Sequence, residues 1–185
     1  MTLARALRWL ALLIVFVSFV AGPLPVQAGS GPHGDVAVPT RLVIPKIRVD
    51  TPIEPVGLHK VGDGFEWGTL WDKVGWHNLS ATPGHLGNTV LSGHNNSRGT
   101  RVFKDLWKLK IGDRFTVYVG DEAHLYEVTE RVTFRQILTT QSQRDYNRRW
   151  IEQYPDERIT LVTCHPTWTD VGRLILVGKP VTTGP

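Results

Sequence analysis

Short runs of alternating apolar and polar residues, cut by glycine and proline, dominate the chain from Arg41 onward. Successive side chains of a strand face opposite sides, so this alternation predicts half-buried β-strands. RLVIPKIRVD (41–50) and TPIEPVGL (51–58) are β-rich runs interrupted by proline, which suits sheet edges or bulges. NTVLSGH (88–94) predicts a strand that runs into a loop. RFTVYV (114–119) and AHLYEVTERVTF (123–134) flank Gly120-Asp121-Glu122, a hairpin signal. RITLVTC (158–164) and VGRLILVGKPV (171–181) are the last two strands, joined by the turn-like HPTWTD (165–170). Two stretches depart from the alternation. TRVFKDLWKLKIGD (100–113) sets Val102, Leu106 and Leu109 at helical spacing, with Phe103 and Trp107 beside them and Gly112 as the stop. SQRDYNRRWIEQY (142–154) predicts a polar helix with Tyr146, Trp150 and Ile151 as its apolar contacts. The expected class is all-β or mainly β: a closed β-barrel of about eight strands with one or two short helices.

The first 28 residues follow a different pattern. Arg5 and Arg8 precede an uncharged run of 13 residues, Trp9 to Ala21. A membrane-spanning helix needs about 20 apolar residues, so the run fits the apolar centre of an export signal. Val26 and Ala28 form a small-x-small ending, and cleavage after Ala28 is expected. The competing reading is an uncut signal anchor, although Pro23 and Pro25 would break its helix. Both readings put the body of the protein outside the cytoplasmic membrane. Residues 29–40, GSGPHGDVAVPT, read as a linker, and the folded domain is expected from 41 to 185.

Composition changes the picture little. The chain of 185 residues is 41% hydrophobic and 21% charged, with seven tryptophans to fill a core. Its net charge is +4, and two of the basic residues lie in the leader. No basic stripe with interleaved aromatics is present, so nucleic acid is not expected as a partner.

The single cysteine changes it more. Cys164 has no internal disulfide partner, so in an exported protein it is free, paired between chains, or reactive. It ends the strand RITLVTC, where Thr160, Val162 and Cys164 share one face. His165 then points away from Cys164 and is a poor base for it; a cysteine nucleophile needs an imidazole from elsewhere. His94, at a strand end beside the loop HNNSRG, sits at a common catalytic position, against the bland reading of a loop histidine. Arg173 shares a face with Ile175 and Val177. It is either a strand-end arginine that reaches water or a group working beside the thiol. If the last two strands pair around HPTWTDVG, Arg173 comes beside Cys164, where its cation would hold a substrate carbonyl or oxyanion and favour the thiolate.

These residues resemble those of the sortases, cysteine transpeptidases of bacterial cell surfaces. TLVTC (160–164) resembles the family's T-L-x-T-C signature, and Arg173 sits where many sortases place their arginine. GNTVLSGHNN…FKDLWKLKIGD (87–113) is similar to the block around the family's histidine, and RLVIPKIRVDTPI (41–53) to its opening strands. The resemblance covers roughly residues 41 to 182. It implies catalytic Cys164, His94 and Arg173. It also implies a Thr-Gly bond in an LPxTG-like sorting signal as the substrate, and surface proteins as the partners that carry it. The acyl group would pass to an amine, such as a cell-wall peptide or a pilin lysine, or to water by hydrolysis, as in a thiol protease. Arg148 and Trp150 are expected in the signal-binding groove, Thr163 near the site, and His165 and Trp168 at the entrance for the amine. No metal or organic cofactor is expected; GDGFE (62–66) reads as a solvated turn rather than a calcium site. The absence of a lid motif favours class D, E or F. The alternatives are another exported cysteine acyl-transferase or protease, such as an L,D-transpeptidase, and a non-catalytic β-barrel that binds wall peptides.

Overall fold

The computed structural model describes residues 37–62, 64–95, 101–167 and 169–181. The leader, most of the linker and Trp168 lie outside the described residues. Ten strands follow one another: β1 (Arg41–Ile44), β2 (Val49–Val56), β3 (Leu58–Val61), β4 (Gly64–Trp67), β5 (Val74–His77), β6 (Gly87–Ser92), β7 (Arg114–Val119), β8 (Glu122–Arg135), β9 (Glu157–His165) and β10 (Gly172–Pro180). Eight of them close a barrel in the order β1-β2-β5-β6-β9-β10-β8-β7, and β3 and β4 form a separate hairpin. The β2–β5 and β6–β9 pairs are parallel.

Alternation explains what the barrel holds. Leu42, Ile44, Leu91, Phe115, Val117, Ile159, Leu161, Leu174 and Leu176 point inward and are buried together. Burying each side chain of this size stabilises the fold by about 1.5–3 kcal/mol. β10 is apolar on its other side too: Ile175 and Val177 pack outward on Trp150, with Val132, Phe134 and Val162 around them. A strand covered on both faces reads as a continuous apolar run, as RLILVG does.

Trp150 is delivered by the helix α1 (Gln141–Arg148) and the 3-10 turn Arg149–Ile151 that continues it. Thr140 caps the helix by accepting from the Gln143 amide at 3.2 Å. Asn147 is buried and donates to the Arg135 carbonyl at 3.3 Å. Tyr146, expected as an apolar contact, is instead 54% exposed, and the Arg149 guanidinium lies 3.8 Å from its ring centre.

Three further expectations can be set against the structure, and one of them is corrected. The prolines of β2 each sit where the strand is paired on one side only, an edge-like position inside a closed barrel. The first half of β2 ladders to β1 and the second half to β5, so each half bonds on one side and tolerates Pro52 and Pro55. Residues 101–113 are not an α-helix. Their bonds run from each amide to the carbonyl three residues back, as in Lys104 to Arg101, Leu106 to Phe103 and Leu109 to Leu106. Phe103, Leu106 and Leu109 are fully buried, and a spacing of three matches this tighter winding. The described residues of GDGFE are exposed, as a solvated turn requires: Gly62 takes φ +57° at the turn of the β3–β4 hairpin, and Gly64–Glu66 begin β4.

Candidate active site

The sheet brings three strands side by side beneath one patch of surface. Cys164 on β9 pairs directly with Arg173 on β10, so both side chains leave the same face. On the other flank β6 runs parallel to β9, with Ser92 opposite Val162. His94 follows two residues later, level with Cys164. Three residues far apart in sequence therefore line up across β6, β9 and β10.

Three hydrogen bonds stitch this junction. The Gly93 amide donates to the Val162 carbonyl at 3.1 Å. The Thr163 hydroxyl donates to the Gly93 carbonyl at 2.7 Å. The Asn95 side-chain amide donates to the Cys164 carbonyl. The bonds bracket His94 on one strand and Cys164 on the other, which fixes their backbones relative to each other. Gly93 is required here: a Cβ would meet Val102 at 2.6 Å and Phe103 at 2.8 Å. The Phe103 amide in turn donates to the His94 carbonyl at 3.0 Å.

The His94 ring stacks on Trp71, with centroids 4.8 Å apart and planes 19° from parallel. Arg101 lies 4.5 Å from the same indole centre and donates to the Trp71 carbonyl at 3.3 Å. Burial lowers the pKa of His94 below its ordinary value, and the nearby Arg101 cation lowers it further. A second histidine lies on the same face. His77 Nε2 is 3.1 Å from the Ser92 hydroxyl, and the His77 ring stacks on Trp67 at 4.1 Å. Burial pushes the pKa of His77 down to about 4, so it is neutral near pH 7.

Arg173 is held by its own turn. Its Nη1 donates to the carbonyls of Asp170 at 3.1 Å and Gly172 at 3.0 Å. Among the described residues it forms no ion pair with a carboxylate. Its remaining donors, Nε and Nη2, have no partner among the described residues. An unpaired cation and a thiol on one strip of sheet suit nucleophilic attack on a carbonyl, because the charge that develops on oxygen meets fixed donors.

The other expected residues are distributed unevenly. Thr163 faces the barrel interior and is buried; its hydroxyl is spent on Gly93, so it holds the junction rather than touching a ligand. Trp150 is also buried, packed on Ile175 and Val177 as a floor under the outer face. Arg148 is exposed on α1, 3.7 Å from Asp145. His165 turns away from Cys164 and lines a cleft of about 420 Å³ with Pro166 and Thr167, facing Lys104, Trp107 and Lys108. Its buried Nδ1 has no hydrogen-bond partner among the described residues. Trp168 lies outside the described residues.

Sequence reasoning missed Asn95, Trp67, Trp71 and His77. Asn95 was visible as the neighbour of His94, but its bond to the Cys164 carbonyl depends on the strand register. The two tryptophans come from residues between β3 and β5, whose contacts no periodicity reports. Ile137 and Leu138 were missed too. Their segment is tied to Val171 by the Gln136 and Ile137 amides, beside Arg173, and Leu138 is 89% exposed with φ +54°.

A closed mixed barrel with cysteine, histidine and arginine on neighbouring strands defines a class of fold and site. The sortase domain model matches residues 42–181, and the chain belongs to the sortase family, a family of cysteine transpeptidases. It is 30% identical over 93 residues to the sortase A of Listeria monocytogenes, a match that takes in 50% of this chain and 38% of that relative's length. Among solved structures it is similar to sortase C1 of Streptococcus agalactiae. Identity there is 26% and the TM-score 0.61, over 78% of this chain and 68% of that one. A Clostridium perfringens sortase D5 transpeptidase shares the fold at 24% identity and a TM-score of 0.58, over 77% of this chain and 78% of that one. These relatives carry the class letters A, C and D, so they do not select one class.

Proposed function

We propose that the chain is a surface transpeptidase in which Cys164 is the nucleophile, His94 the acid and base, and Arg173 the carbonyl-binding cation. The alignment of these residues across β6, β9 and β10 is the observation that supports this reading most directly. Cys164 passes its thiol proton to His94, and the sulfur attacks the threonine carbonyl of a sorting signal of the LPxTG kind, while the carbonyl oxygen takes up negative charge against Arg173 Nε and Nη2. Collapse breaks the Thr-Gly C–N bond, and His94 gives its proton to the leaving amine. The threonine is then a thioester on Cys164. An incoming amine attacks that carbonyl, loses a proton to His94, and expels the thiolate as the new amide forms. Water in place of the amine gives hydrolysis.

The surface around the site supports a split between the two substrates. Ile137 and Leu138 offer exposed apolar contacts beside Arg173 for the signal. The cleft at His165 opens between residues 104–108 and 165–167, and suits the approach of the amine. The partners in this reading are surface proteins that carry a C-terminal sorting signal and an amine such as a wall peptide or pilin lysine. Residues 1–28 would export the chain, with cleavage after Ala28 or retention as a membrane anchor. The smaller class D, E or F types remain the expectation for a chain without a lid motif.

The test is a panel of LPxTG and LAxTG peptides with triglycine as the amine, read by mass spectrometry. The expected product is the peptide joined through threonine to triglycine, absent with Cys164→Ala. A thiol inert to alkylation, with no product and a Cys164→Ala variant as stable as the parent, would favour a binding module instead.

A further inference from the structure

Two tryptophans from one short stretch stack on two histidines of the active face. Trp67 ends β4 and lies parallel to His77; Trp71, four residues on, lies parallel to His94. Residues 68–73 between them and β5 form no ladder, so other contacts must fix them. Those contacts are the two ring stacks, the Gly68 amide to the Gly57 carbonyl at 3.0 Å, Arg101 on the Trp71 carbonyl, and the Lys73–Glu54 pair at 2.5 Å. Trp71 is 61% exposed, which is not the behaviour of a core residue. Among the described residues, the ring contacts of its indole are the stack on His94 and the contact with Arg101.

We propose that residues 67–71 form an aromatic clasp, anchored by Trp67 on His77, whose Trp71 positions the imidazole of His94 for proton transfer. The inference rests on His94 as the acid and base of the proposed reaction. His94 lies beyond the last ladder residue of β6, and its side chain makes no hydrogen bond among the described residues. An imidazole that must give a proton and later take one has to keep one edge toward the reacting nitrogen. Rotation about its last side-chain bond would swap Nδ1 with Cδ2 and Nε2 with Cε1, and so carry both nitrogens out of place. A parallel indole at 4.8 Å opposes that rotation and leaves the ring edges free. Trp71 is thus a positioning residue, and His77 works at one remove: it is neutral, tied to Ser92 two residues before His94, and covered by the ring that holds the clasp down.

The same contact shapes the titration of His94. The charged and titratable groups on the elements around it are Arg101, Lys104 and Asp105 on the segment that holds its carbonyl, Asp72 and Lys73 just after the clasp, His77 on β5, Cys164 and His165 on β9, and Arg173 on β10. Removing the indole lets water reach His94, so its pKa should rise toward the ordinary histidine value.

The experiment compares Trp71→Ala, Trp71→Phe, Trp67→Ala and the Trp67→Ala/Trp71→Ala pair. Steady-state transfer and the NMR titration of His94 are measured, with Tm as the control for folding. Trp71→Ala is expected to lower kcat by about ten- to a hundred-fold with KM nearly unchanged, and to raise the His94 pKa. Trp71→Phe keeps a stacking face and should stay near the parent in both. Trp67→Ala should resemble Trp71→Ala, and the double variant should be no worse than Trp71→Ala alone, because one contact serves the other. A loss confined to KM, a loss as large in Trp71→Phe, or an unmoved His94 titration in Trp71→Ala would overturn the positioning role. Additive losses would overturn the anchor. If the parent transfers no peptide at all, the proposed reaction fails, while the titration still decides whether Trp71 governs His94.

Discussion

At position 173 the shape of the cation matters beside its charge. Arg173 spends Nη1 on two carbonyls of its own turn, which leaves Nε and Nη2 without a partner among the described residues. Lysine keeps the charge but has no planar fork to divide between turn and ligand. Arg173→Lys is therefore expected to lower kcat/KM by about a hundred-fold, the scale of one lost oxyanion donor, with Tm unchanged. Activity within two-fold of the parent would show that the charge alone suffices. His77 makes a different prediction, about stability. Unfolded, it takes up a proton near pH 6.5; folded, near pH 4. The unfolded chain binds more protons between those values, so the contribution of neutral His77 is complete above pH 6.5 and is lost as pH falls toward 4. Up to about 3 kcal/mol is at stake over that window. Urea unfolding from pH 7 to 4 should show this loss in the parent and a shallower slope in His77→Gln, whose side chain still bonds Ser92.

The segment 101–109 shows how one element serves both stability and site. Phe103, Leu106 and Leu109 enter the inner core, and the Phe103 amide holds the His94 carbonyl. Phe103→Ala should destabilise the fold by about 3–5 kcal/mol in denaturant unfolding. It should also lower transfer well below the melting range, because the cavity opens under Gly93. A loss of stability with full activity would separate the two roles. This element was also the one most plainly misread from sequence. Val102, Leu106 and Leu109 satisfy a helical period on paper, but Phe103, Leu106 and Leu109 are the fully buried residues, and burial chose the three-residue winding. The strands were easier. Gly120-Asp121 marks the β7–β8 turn, and the alternation in RITLVTC places Cys164 opposite Thr163 with no structural help. The β3–β4 hairpin was illegible because Leu58, Val61 and Phe65 are exposed, so no burial pattern marks it.

At the scale of the molecule, closure of the barrel turns three distant stretches into one site. The resemblance of TLVTC, SGH and Arg173 to sortase motifs pointed to the residues, and the β9–β10 hairpin was expected to pair Cys164 with Arg173. The parallel β6–β9 contact, which sets His94 level with Cys164, was not readable, because nothing local in either strand encodes a partner some seventy residues away. The same holds for the clasp, where Trp67 and Trp71 reach the histidines only once β5 has docked beside β6. The account as a whole turns on one covalent intermediate. The direct measurement is the intact mass of the protein after a short acid-quenched incubation with an LPxTG peptide and no amine, followed by peptide mapping. The account predicts a mass gain equal to the peptide up to its threonine, carried on Cys164, slowed in His94→Ala and absent in Cys164→Ala. Turnover of the peptide without that adduct, or turnover that survives in Cys164→Ala, would contradict it.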